Sequence, residues 1–134
     1  MTETLTLEVT THVFGLGNTR TSEPIYVVLP QRDTTARALI AEHVRAEVQR
    51  ANAMRTSSLA LHYLLADDLR RTPSPRTLPT LDDNAETARA YAGLAERRYL
   101  LVVDGVAMSD LDTPLRLTEH SVVSFVRLLP LIGG

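Results

Sequence analysis

Hydrophobic and polar positions alternate from residue 5 to residue 13. Leu5, Leu7, Val9 and Val13 fall on one side, and Thr4, Thr6, Glu8, Thr10 and His12 on the other. This period of two predicts a strand with one buried and one wet face. Gly15-Leu16-Gly17-Asn18-Thr19-Arg20 is turn chemistry. Ile25, Val27 and Leu29 then alternate again before Pro30, so the two runs predict an N-terminal hairpin with a long loop. Asp33 or Thr34 can cap the next element. Ala36, Leu39, Ile40, Val44 and Val48 recur at helical spacing, with Arg37, Glu42, Arg45, Glu47 and Arg50 on the other faces. That pattern predicts an amphipathic helix of about 18 residues, long enough to cross a small sheet.

Between residues 56 and 98 the pattern is mixed. Leu59, Leu61, Tyr63 and Leu65 fit a strand, whereas Leu61, Leu64, Leu65 and Leu69 fit a helix. Pro73, Pro75 and Pro79 make a stiff loop. Asp82 and Asp83 suit a helix start by capping and by the helix dipole. A helix over about 84–97 is expected, with Ala88, Tyr91, Ala92 and Ala95 as its inner stripe.

Tyr99 to Val103 has the composition of a buried strand, Asp104-Gly105 is a hairpin turn signal, and Val106 to Met108 returns. Ser109 to Leu117 is a polar connection anchored by Leu111, Leu115 and Leu117. Ser121 to Leu129 is a second strong strand, followed by Pro130-Leu131-Ile132-Gly133-Gly134. Strands and helices do not alternate regularly, so the fold class is α+β rather than doubly wound. A first hairpin, a helix across it and a late strand returning to the middle is the β-grasp order. The expected organisation is one domain over 1–129, with a helical or loop insertion at 55–98, and a tail over 130–134.

Composition narrows the chemistry. The 134 residues contain no cysteine, which removes disulfides, thiolate zinc sites, iron–sulfur clusters and a cysteine nucleophile. A net charge of -2 supplies no field for nucleic acid. No apolar run approaches the roughly 20 residues of a membrane span. Met1-Thr2-Glu3-Thr4 does not resemble a signal peptide, so the expected compartment is the cytoplasm. All 14 basic residues are arginine, and lysine is absent.

The tail carries the sharpest signal. Glycine has no Cβ, so Gly133-Gly134 can enter a slot that another residue would fill. Five residues beyond the strand reach roughly 17 Å. The chemistry this suits is activation of a C-terminal carboxylate, by adenylation and then attack by a sulfur or amine nucleophile. Pro130, Leu131 and Ile132 lie too near the end to pack well and are candidate docking residues for the enzyme that performs it.

Val102-Val103-Asp104-Gly105, Ser109 to Leu115, Val122 to Leu129 and Pro130 to Gly134 together resemble the C-terminal half of the molybdopterin synthase small subunit. That family and the ThiS-type sulfur carriers share the ubiquitin β-grasp fold and a terminal Gly-Gly. Leu129 to Gly134 is also similar to the tail of ubiquitin. The resemblance covers about 35 residues. It implies a ubiquitin-activating or MoeB/ThiF-type partner that uses ATP to adenylate Gly134, with Gly133 as the slender approach. It implies no bound cofactor and no catalysis by this chain. The long 55–98 region, Glu119-His120 before the last strand and the single Pro130 depart from the sulfur carriers. These differences favour a bacterial ubiquitin-like modifier, served by activating and conjugating enzymes and a JAMM-type peptidase and attached to target proteins. A thiocarboxylate sulfur carrier, and an interaction module that does not use its tail, are the alternatives.

Other constellations are weaker. Gly15-Leu16-Gly17 lacks the third glycine and the strand-to-helix setting of a phosphate cradle. His12, His43, His62 and His120 have no metal-ligand spacing. Asp67-Asp68 and Asp82-Asp83 suit solvated helix ends. Arg70-Arg71 and Arg97-Arg98 are more often solvated faces, although arginine's fork fits an acidic protein partner.

Overall fold

The structure is a computed structural model and describes residues 4–15, 18–22, 24–54, 81–108 and 110–128. Ten elements follow in chain order: β1 (Leu5–Gly15), β2 (Asn18–Thr21), β3 (Ile25–Leu29), β4 (Asp33–Thr35), α1 (Ala36–Met54), α2 (Asp83–Ala95), β5 (Leu100–Val103), β6 (Val106–Met108), β7 (Pro114–Arg116) and β8 (Val123–Leu128). Among the described residues the fold is α+β, with a mixed sheet and two helices.

The expected first hairpin forms, and its return strand is broken. β2 pairs with the far half of β1 (His12 opposite Thr21) and β3 with the near half (Val9 opposite Ile25). Between these pairs the register slips by one residue, as at a β-bulge. The Ser22 N–H donates to the Thr11 carbonyl, and the Thr11 N–H donates to Ser22 Oγ. The slip restores the phase, so Ile25, Val27 and Leu29 are buried alongside Leu5, Leu7 and Val9. Part of the run read as a turn is therefore strand β2.

On its other edge β1 runs parallel to β8, from Val9 beside Val123 to Phe14 beside Leu128. β8 is in turn antiparallel to β5, and β5 to β6, giving the order β2-β1-β8-β5-β6, with β3 beside β2 on the outer edge of β1. The β5–β6 turn is Asp104-Gly105, both at positive φ (51° and 83°), as its sequence demands. A small second ladder pairs β4, just before α1, with β7, which lies inside what the sequence presents as a polar connection.

Both helices cover the same face of the sheet. Leu39, Ile40, Val44 and Val48 of α1 share one core with Leu7, Val9, Val27, Leu101, Leu117 and Phe125. Phe125 touches the ring of His43 on α1 and that of Tyr99, whose hydroxyl donates to the Ala90 carbonyl on α2 at 2.6 Å. Asp82 caps α2, accepting from the Ala85 N–H. Asn52 of α1 bonds both the N–H and the carbonyl of Leu81, joining the end of one helix to the approach of the next. Of the expected insertion, residues 81–98 are helix and turn, and residues 55–80 lie outside the described residues.

Two expectations about helix faces are corrected. The buried stripe of α2 is Glu86, Ala90, Gly93 and Leu94, whereas Ala88, Ala92 and Ala95 face outward and Tyr91 is half-buried. In α1, Glu47 is buried rather than on a solvated face, and His43 lies one turn before it.

Candidate functional site: the sheet end that launches the tail

Pairing with β1 on one side and β5 on the other places β8 in the middle of the sheet. Val123 and Phe125 enter the core while Ser124, Val126 and Leu128 face the uncovered side. β8 is held by six residue pairs to β1 and four to β5. Its last residue, Leu128, is 68% exposed beside Phe14. The chain thus reaches the sheet end from a position hydrogen-bonded on both sides. The tail residues Pro130, Leu131, Ile132, Gly133 and Gly134 follow, and lie outside the described residues, as do Leu129, Asp67-Asp68 and Arg70-Arg71.

The two faces of this sheet end differ. On the open face, Phe14, Leu100 and Leu128 are exposed and Val102 and Val126 half-buried. Beside them runs a polar chain across three strands. Ser124 meets Thr10 at 3.3 Å, Thr10 meets His12 at 3.2 Å, and His12 meets Thr21 at 3.0 Å. The Tyr26 hydroxyl donates to Glu8, and Glu8 in turn raises the Tyr26 pKa. Thr10 stands between Ser124 and His12, and a hydroxyl rather than a carboxylate meets the far nitrogen of His12. This geometry lacks the direct nucleophile–base contact and the orienting acid of hydrolytic triads.

On the helix-covered face, Arg127 and Arg20 flank buried Val13 on adjacent strands. Burial, with Arg98 nearby, lowers the Arg127 pKa from its ordinary value. Arg98 also contacts Glu96 at 2.7 Å. Arg97, beside it, occupies the left-handed region at φ 60°, where helices usually end on glycine.

Two polar groups missed by the sequence pattern lie inside the core. His43 and the Thr11 hydroxyl have no hydrogen-bond partner among the described residues. Burial pushes the His43 pKa down to about 3, so the ring is neutral at ordinary pH. Its Nε2 is 4.0 Å from Glu47 Oε1. Glu86, also buried, holds its proton more tightly than a free carboxylate, chiefly through burial. A buried polar residue on a helix leaves no periodic signal that separates it from a solvated one.

Among the described residues no three His, Asp or Glu side chains converge as a metal site, and no helix is long and apolar enough to cross a membrane. No family model, no curated protein and no solved structure matches the chain.

Proposed function

We propose that this chain is a β-grasp, ubiquitin-like modifier of the cytoplasm whose Gly134 carboxylate is activated by a partner enzyme and passed to target proteins. One observation carries the reading: a central strand, anchored on both sides, ends at exposed Leu128 and is followed within six residues by Gly133-Gly134. The sheet order, with its parallel pair at the centre and both helices on one face, supports the β-grasp assignment. It agrees with the resemblance of residues 102–134 to sulfur carriers and of the last six residues to ubiquitin.

The chemistry belongs to the partner, which binds the ATP. A Gly134 carboxylate oxygen attacks the α-phosphorus, the bond to the bridging oxygen breaks, and pyrophosphate leaves. A partner thiolate then attacks the acyl-adenylate carbonyl and AMP leaves. A target amine displaces the thiolate to form the amide. The chain contributes a rigid body to grip and a tail whose last two residues have no side chain to exclude. Pro130, Leu131 and Ile132 act as the docking segment between body and glycines.

The test is reconstitution with a ubiquitin-activating or MoeB/ThiF-type enzyme and ATP, read by intact mass. A thioester on the enzyme, and then conjugates that disappear when Gly134 is deleted, support the reading. Replacement of one Gly134 carboxylate oxygen by sulfur, without conjugates, would support the sulfur-carrier alternative that the similarity of residues 102–134 favours. Absence of activation by any enzyme of this class would leave the chain an interaction module.

A further inference from the structure

We infer that the arginine-only surface leaves this chain without an acceptor side-chain amine in acyl transfer, so that its activated tail does not link copies of the chain through their side chains; the inference rests on the proposed activation of Gly134. An activated acyl carbon is attacked by an unprotonated amine. The lysine ammonium loses its proton with a pKa of about 10.4 and presents a nucleophilic lone pair. The guanidinium stays protonated above pH 12, with its lone pairs delocalised, and does not attack. All 14 cationic side chains of the 134 residues belong to the unreactive type.

The fold supplies no reason for that choice at several exposed positions. Arg45 makes a single 3.2 Å contact with Glu42 and a looser one with Asp83. Arg89 makes a single contact with Glu86 at 3.1 Å, and Arg116 one with Asp33 at 3.3 Å. Their side chains are 54%, 61% and 85% exposed. No pair uses the two-pronged fork that distinguishes arginine from lysine. An ammonium would serve each pair as well, and exposed pairs of this kind contribute little either way. Arg37 is different, because its guanidinium stacks over the Tyr91 ring at 5.1 Å. The three positions sit on α1, α2 and β7, so lysine there would offer acceptor amines on separate parts of the surface. In the step avoided, the lysine nitrogen would bond to the Gly134 carbonyl carbon, the carbon–sulfur bond of the thioester would break, and the nitrogen's proton would pass to the departing thiolate.

The experiment compares the full chain with the triple variant R45K/R89K/R116K. Each is prepared with Gly134 as a 2-mercaptoethanesulfonate thioester, by release from a self-cleaving fusion, and held concentrated at mildly alkaline pH. The inference expects equal melting temperatures, no side-chain linkage for the native sequence, and side-chain-linked dimers for the variant. Those dimers should map to positions 45, 89 or 116 and vanish in the variant when Gly134 is deleted. Native chain self-linked through any side chain would overturn the inference. So would a variant whose thioester hydrolyses without self-linkage. Because the thioester is made chemically, either result stands whether or not an enzyme activates Gly134 with ATP, which is read separately in the reconstitution above.

Discussion

The neutral His43 ring inside the core makes stability depend on pH in a direction fixed by its surroundings. The ring is 3% exposed, lies 4.4 Å from the ring of Phe125, and neither nitrogen has a hydrogen-bond partner among the described residues. Burial lowers its pKa from 6.5 to about 3. Below pH 6.5 the unfolded chain binds a proton that the folded chain refuses, so stability present above pH 6.5 is lost as pH falls towards 3. The slope is about 1.4 kcal/mol per pH unit, and the whole window amounts to about 5 kcal/mol, a large part of the total stability of a small domain. Between about pH 7.5 and about pH 5 the loss is about 2 kcal/mol, or about 6–10 °C in melting temperature for a chain of this size. Glu86 titrates with the opposite sign. Its raised pKa means that acid favours the folded state through that group. The comparison is therefore between the native chain and His43→Leu, which keeps Glu86 and removes two unsatisfied nitrogens at similar volume. Urea denaturation of both proteins at the two pH values should show the acid loss in the native chain alone, with the variant at least as stable at neutral pH. Equal pH dependence in the two would refute the burial argument. Greater stability of the native chain at acid pH would mean that Glu47, 4.0 Å away, holds a protonated His43 as an ion pair.

Three further outcomes can be checked on the same footing. Phe125→Ala removes a ring that touches both His43 and Tyr99 and should destabilise by about 3–5 kcal/mol in urea. Asp82→Ala removes the acceptor of the Ala85 N–H at the start of α2 and should lower stability by about 1 kcal/mol, read by thermal melting. Deleting Gly134 should leave the melting temperature unchanged, because the described core is complete without it; a shift of several degrees would mean that residues 129–134 pack on the body.

What the sequence reveals depends on contrast. β1, β3, β5 and β8 each present Leu, Val, Ile or Phe to the core with alternate residues facing away, so the pattern is strong and strand positions are legible to within a residue or two. α2 offers almost none. Its inner residues are Ala90, Gly93 and Leu94 and its outer ones Ala88, Ala92 and Ala95, groups that differ by little more than one leucine. What fixes its rotation is contact with α1 and Tyr99, together with a glutamate that goes inward. The β4–β7 ladder escapes for another reason. Three residues on each side, about 80 positions apart, leave no local period to read. The β2–β3 bulge is similar, since a one-residue slip shows only when both strands are seen paired. At the candidate site the division is reversed. Gly133-Gly134 and the proposed docking segment are legible as composition, whereas the placement of β8 before them rests on pairing across the chain.

That position bears on how a tail can be worked by an enzyme. Drawing six residues into a narrow active site loads the strand behind them along its axis. In an edge strand the load falls on one ladder. Here β8 is bonded to β1 on one side and β5 on the other, and Phe125 is wedged against α1 between them. Under the proposed function the load would therefore be shared along two ladders and a packed ring before β8 moves. The parallel partner contributes most, because its pairing continues to Leu128, the last described residue, whereas β5 pairs only as far as Val126. Weakening the β1 side, by placing proline at exposed Phe14, whose N–H faces β8 by alternation from Thr11, should therefore loosen this end of β8 before it unfolds the sheet. Hydrogen exchange would show this as faster exchange at Arg127 and Leu128 with Val123 to Phe125 still protected; uniform loss of protection along β8 would show that the strand yields as one piece.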